Sequence, residues 1–202
     1  MWAEVLSLIG FRYFLASIFL FGLLSAANVG RPEPRQRGKA DSCGEIELPT
    51  KVKEQLNTTY PTWTVQNHQS LSKTAVSRWS SQKPMGCPGA IEGEFLPDGT
   101  RAYVLIIVPR EDHDSRYRLV IMREVVGQDF RPEIIETSEV PGASNYFLQK
   151  VRTSDYFNHE KAKRFKPQAK ESFLIFDAAE QEYGVELYFW SERRFQTSPV
   201  DE

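Results

Sequence analysis

The chain has 202 residues, including 12 prolines and 12 glycines, with 41% hydrophobic and 26% charged side chains. That leaves room for one domain of roughly 150 residues plus a leader, and it excludes a disordered chain. The formal net charge of −2 gives no global attraction for nucleic acid, and no nucleic-acid partner is expected.

Residues 1–27 read as a signal peptide or membrane anchor. Tyr13 to Leu24 carries no charge and only Ser17 as a polar side chain; Arg12 precedes it and Ser25-Ala26-Ala27 follows. A positive residue, an apolar run and a small-x-small ending form a secretory signal with cleavage after Ala27. Against cleavage, Arg31, Arg35, Arg37 and Lys39 follow the run, and Val5–Gly10 lengthens it enough to span a bilayer. The expected location is therefore exported, either periplasmic or secreted, with an uncleaved membrane tether as the variant form. Any membrane contact is expected through this segment only.

Residues 28–42 (NVGRPEPRQRGKADS) hold too little apolar surface to fold and read as a flexible basic linker. Residues 43–202 form the single globular domain. Cys43 and Cys87 are the two cysteines. No lipobox precedes Cys43, and no further Cys or His stands close enough to complete a zinc site. In an oxidising compartment the two can pair, which stabilises by about 4 kcal/mol on the chain-entropy view. Two unpaired structural thiols are the alternative.

Val52, Leu56 and Tyr60 recur every four residues, predicting a helix that Thr50 caps and Pro61 stops. A short strand follows at Trp63–Gln66, and residues 67–85 give no clear pattern. Strands are then expected at Ile91–Phe95 and Arg101–Val108, joined across Asp98-Gly99. Tyr103–Val108 is apolar throughout and should be a central strand covered on both faces. Further strands are expected at Tyr117–Val126, Pro132–Glu139, Tyr146–Val151, Ser172–Asp177 and Tyr183–Trp190, with a short one at Arg194–Thr197. The spacing predicts an α+β domain, one amphipathic helix on a mainly antiparallel meander sheet of about six or seven strands.

Gly93-Glu94-Phe95-Leu96-Pro97-Asp98-Gly99-Thr100-Arg101-Ala102-Tyr103, after Cys87-Pro88-Gly89, resembles the G-D-F-(D/N)-G-D-G-x-x-D-Y segment of uncharacterised exported bacterial proteins. The ending Leu187–Trp190 with Phe195 is similar to their closing strand pair. Val52, Leu56 and Tyr60-Pro61-x-Trp63 resemble the helix-to-strand start of PepSY-like periplasmic domains. The resemblance implies an exported α+β domain and brings no catalytic residue. Leu96 and Ala102 replace two acidic positions of that segment, so no calcium is expected at the hairpin.

Two clusters are candidates for chemistry. Asp112, His113 and Asp114, after Glu111, fall at a hairpin tip and could bind a divalent cation weakly or supply an acid/base pair. Such tips are more often plain polar turns. Lys150–Lys170 holds seven lysines or arginines interleaved with Tyr156, Phe157 and Phe165. This predicts a long basic loop, with Lys161, Lys163, Arg164 and Lys166 as contacts for an anionic envelope component or a protein. No G-x-S-x-G, H-E-x-x-H or glycine-rich phosphate loop is present, so neither a catalytic residue nor a cofactor is assigned. The leading expectation is an exported, non-enzymatic binding module. The alternatives are a hydrolase with its site assembled near His113, and a membrane-anchored protein with a cytoplasmic domain.

Overall fold

The apolar run at residues 102–109 places its strand at the centre of a sheet. In the computed structural model, which describes residues 48–82, 86–125, 129–138, 140–179 and 183–200, this strand is β3 (Ala102–Pro109), counted after β1 (Trp63–Val65) and β2 (Ala90–Gly93). Alternate side chains of a strand point to opposite faces. Tyr103, Leu105 and Ile107 accordingly enter one apolar cluster, and Val104, Ile106 and Val108 another. Both faces are covered, as the uniform apolar run requires.

Two short strands share one flank of β3. β1 pairs with its end at Ile107–Pro109, and β2 with its start at Ala102–Leu105. Between them Gln66 N donates to Ile106 O and Ile106 N donates to Gly89 O, both at 2.9 Å, which continues the ladder. Gly89 is required here, because a Cβ at this position would stand 2.3 Å from the Gln66 carbonyl oxygen. On the other flank lie β4 (Arg118–Val125) and then β5 (Asp129–Thr137), all antiparallel.

The chain then starts a second sheet instead of extending the first. It is a four-stranded meander of β6 (Tyr146–Arg152), β7 (Glu171–Ala178), β8 (Tyr183–Ser191) and β9 (Arg194–Pro199). Glu192 and Arg193, with φ of 51° and 67°, turn the chain between β8 and β9; left-handed residues suit such hairpins. The expected single sheet of six or seven strands is therefore corrected to nine strands in two sheets among the described residues. Alternation shows which side chains share a face, but not which strand lies alongside.

The two sheets face each other. Leu119 and Ile121 of β4 meet Leu148 of β6, Phe173 and Ile175 of β7 and Tyr188 of β8 in one buried cluster. The outer face of the first sheet is covered by α1 (Thr50–Thr59) through Val52 and Leu56, with Tyr60 just beyond it. The outer face of the second is covered by α2 (Lys73–Ser81) through Ala75 and Trp79, and by α3 (His159–Phe165) through Phe165. Helix, sheet, sheet and helix thus form four layers of an α+β fold, with the central strands β3 and β7 buried on both sides. One expected helix becomes three α-helices among the described residues. α1 begins without a side-chain cap, its N-cap being Pro49 and not Thr50, and it ends before Pro61. α2 occupies the stretch that showed no pattern, where the Ser72 side chain accepts from Ala75 N.

Candidate functional site

The acidic tip joins β3 to β4, as expected, and its two aspartates are used to shape and anchor the loop. Asp112 Oδ1 accepts from Asp114 N at 3.3 Å, and Asp112 O accepts from Ser115 Oγ at 3.0 Å. Asp114 reaches the crossing between sheets: its Oδ1 accepts from Ser144 N and Ser144 Oγ, and its carbonyl from Gly142 N. His113 is exposed. The three residues do not converge, and among the described residues no group of three or more His, Cys, Asp or Glu could hold a metal ion. At the other hairpin, Asp98 Oδ1 accepts from Thr100 N and Glu94 pairs with Lys170. That bond to the Thr100 amide holds the Asp98 carboxyl below its usual range.

The basic stretch is not the long loop expected. After β6 it makes one 3-10 turn at Thr153–Asp155 and then α3, whose Asn158 cap accepts from Lys161 N. Its aromatic side chains face inward. Phe157 and Phe165 meet Phe189 edge-on at 4.8 and 5.6 Å, and Tyr156 packs into the same cluster. They are seats for the helix and not open stacking platforms. Beyond α3, buried Ser191 donates from Oγ to the carbonyls of Phe165 and Lys166, and Gln168 N donates to Trp190 O. On this fixed base Lys161, Lys163, Arg164 and Lys166 are all exposed. None of the four forms an ion pair with a described residue, whereas neighbouring Lys150 and Lys170 are paired with Glu171 and Glu94.

On the opposite outer layer lies a cationic cleft that sequence reasoning missed. The Arg118 guanidinium stands 4.3 Å from the Trp63 ring centroid and 5.8 Å from that of Tyr60, and the Arg116 guanidinium is 5.8 Å from Trp63. Arg110 is fixed by donating from Nε to Pro61 O and from Nη2 to Asn57 Oδ1. A cavity of about 300 Å³ opens here, lined by Pro61, Trp63, Pro109, Arg110, Glu111 and Arg116. Burial raises the Tyr60 hydroxyl's pKa, and Arg118 partly offsets this. The visible signal was Arg116-x-Arg118, which puts two arginines on one strand face. Their aromatic partner, some fifty residues earlier in the chain, was hidden until β1 was placed against β3.

Between the sheets a second missed cluster joins tyrosines to carboxylates. A bulge at Leu119/Val120 brings Glu136 opposite Leu119, onto the inner face. Glu136 there accepts from Tyr117 Oη at 2.9 Å and from Tyr188 Oη, while Tyr188 also approaches Glu186 at 3.2 Å. Nearby, Tyr146 Oη donates to Asp177 at 2.9 Å. Burial first, and the adjoining carboxylates next, push all three tyrosine pKa values well up. These hydroxyls are held as neutral donors, and that of Tyr188 in β8, donating to Glu136 in β5, ties the two sheets together.

Cys87 is buried at the bridge to Ala90, with its sulfur 3.4 Å from the Gln66 carbonyl oxygen, and no cysteine among the described residues is free. Cys43, Ala27, the leader and the linker lie outside the described residues. Among those described, no helix is long and apolar enough to cross a membrane. The described residues thus form a four-layered antiparallel α+β sandwich carrying two exposed cationic surfaces. No family model matches it, nor does any curated protein or solved structure.

Proposed function

We propose that this chain is an exported cell-envelope protein whose domain is a binding module for an anionic envelope component, without catalysis. The observation that carries the reading is the set of exposed cations on α3 and its C-cap, Lys161, Lys163, Arg164 and Lys166, left without carboxylate partners among the described residues. Exposed like charges held close together repel one another, and a polyanion relieves that repulsion. The inward aromatic anchors keep the helix that carries these cations on a fixed base, so less ordering entropy is lost on binding. Export is supported by the sequence of the leader, which places the domain among envelope polyanions and away from nucleic acid. The Cys43–Cys87 bridge belongs to the same reading, since an oxidising compartment favours it.

Retention on an immobilised anionic polysaccharide tests the contact. Because the net charge of the chain is −2, retention requires a local basic surface. Combined Lys161→Glu, Lys163→Glu and Arg164→Glu should lower affinity by roughly tenfold or more, and added salt should weaken wild-type binding steeply. Undiminished retention of a folded triple variant would reject the α3 contact.

A further inference from the structure

We propose that the cleft between β1 and the β3–β4 connection is a separate seat for a small ligand that joins an oxyanion, phosphate or carboxylate, to a ring-shaped body. Two guanidiniums, those of Arg110 and Arg116, line this cavity, with that of Arg118 against the adjoining Trp63 ring, and none of the three pairs with a carboxylate among the described residues. Arg110 is bound only to neutral acceptors, Asn57 Oδ1 and Pro61 O, which fix its direction and leave its charge and its other donors available. Arg118 Nε is buried without any hydrogen-bond partner, and the neighbours of its guanidinium are the rings of Trp63 and Tyr60. Glu111 is the one carboxylate lining the cavity, so positive charge prevails there.

The remaining walls set the rest of the ligand. Pro61 and Pro109 offer flat apolar surface beside the cations, over the buried edge of Trp63. Such surfaces pack on the C–H face of a sugar or on an aromatic ring, while arginine forks match phosphate and carboxylate oxygens. A volume of about 300 Å³ lies at the small end of ligand sites, which favours a sugar phosphate or an aromatic carboxylate over a polymer. The seat is preorganised: Trp63 is held by pairing with Pro109, and Arg110 by the end of α1. It lies in the layer opposite α3 and does not depend on the polyanion reading.

Isothermal titration of the full chain with glucose 6-phosphate, benzoate, glucose and inorganic phosphate tests the proposal. Saturable binding of glucose 6-phosphate or benzoate with a Kd of about 1 mM or tighter is expected, with glucose and phosphate alone weaker. Which of the two ring-bearing probes binds better separates a phosphate source from a carboxylate one. Arg116→Gln, at an exposed position, should weaken that binding roughly tenfold or more. Arg110→Gln should do the same, and the α3 triple variant should leave it unchanged. Absence of saturable binding by both ring-bearing probes would overturn the seat. So would binding that survives both arginine substitutions in variants melting at the wild-type temperature, or binding that falls equally with the α3 charges.

Discussion

Replacing Phe173 with alanine should destabilise the domain by about 3–5 kcal/mol. Phe173 stands in β7 with no exposed surface, on the face turned toward the first sheet. Its ring lies edge-on to Phe95 at 5.5 Å, stacks on Tyr188 at 5.2 Å and meets Phe195 at 5.7 Å. Truncation removes the transfer energy of a whole ring and opens a cavity that two hydrogen-bonded sheets cannot readily close. Urea unfolding measures the effect: the midpoint should fall with an unchanged slope. A loss under about 1 kcal/mol would mean that this ring is not locked between the sheets.

The second large effect concerns alkaline pH. Tyr117, Tyr146 and Tyr188 have their pKa raised by burial and by Glu136 and Asp177, above an unfolded value near 10. At high pH the unfolded chain therefore releases these protons first, while the folded chain keeps them. Their contribution is fully present below about pH 10 and is lost as pH rises above it. Tyrosinate absorbance followed together with circular dichroism should show these three ionising only as the fold is lost. Tyr188→Phe should remove part of that pH dependence and also weaken the tie between sheets. Ionisation of all three near pH 10 with the dichroism unchanged would contradict the network.

Much of the first sheet was legible because its signals are local. The Asp98-Gly99 turn and the apolar run Ala102–Pro109 define the β2–β3 hairpin, and the expected strand boundaries fall within a few residues of those observed. Later strands were equally visible one by one. Their division into two sheets was not, because no residue pattern in β5 or β6 says that these consecutive strands do not pair. The fold hides α2 in a polar stretch, although Ser72 as a cap and the spacing of Ala75 and Trp79 are readable once the helix is known. In the basic stretch the composition was plain, but the inward packing of Phe157 and Phe165 on Phe189 depends on a strand formed later in the chain.

The two missed clusters share a cause. Glu136, Tyr117 and Tyr188 meet only after one bulge and the facing of two sheets. Trp63 meets Arg116 and Arg118 only when β1 pairs with β3 and β3 with β4. Neither arrangement leaves a spacing in the sequence. The acidic tip shows the converse: Glu111–Asp114 is conspicuous as a string of ionisable residues, yet Asp112 and Asp114 are used to shape and anchor the loop.

Protease added to intact spheroplasts of the host, with the intact mass measured on an untreated sample, shows directly whether the domain works outside the cytoplasm. The domain should be digested from outside. The mass should correspond either to a chain starting at Asn28 or to the uncleaved, tethered chain, in both cases lighter by the two hydrogens of Cys43 and Cys87. A protected domain on an uncleaved chain with both thiols reduced would contradict the envelope role.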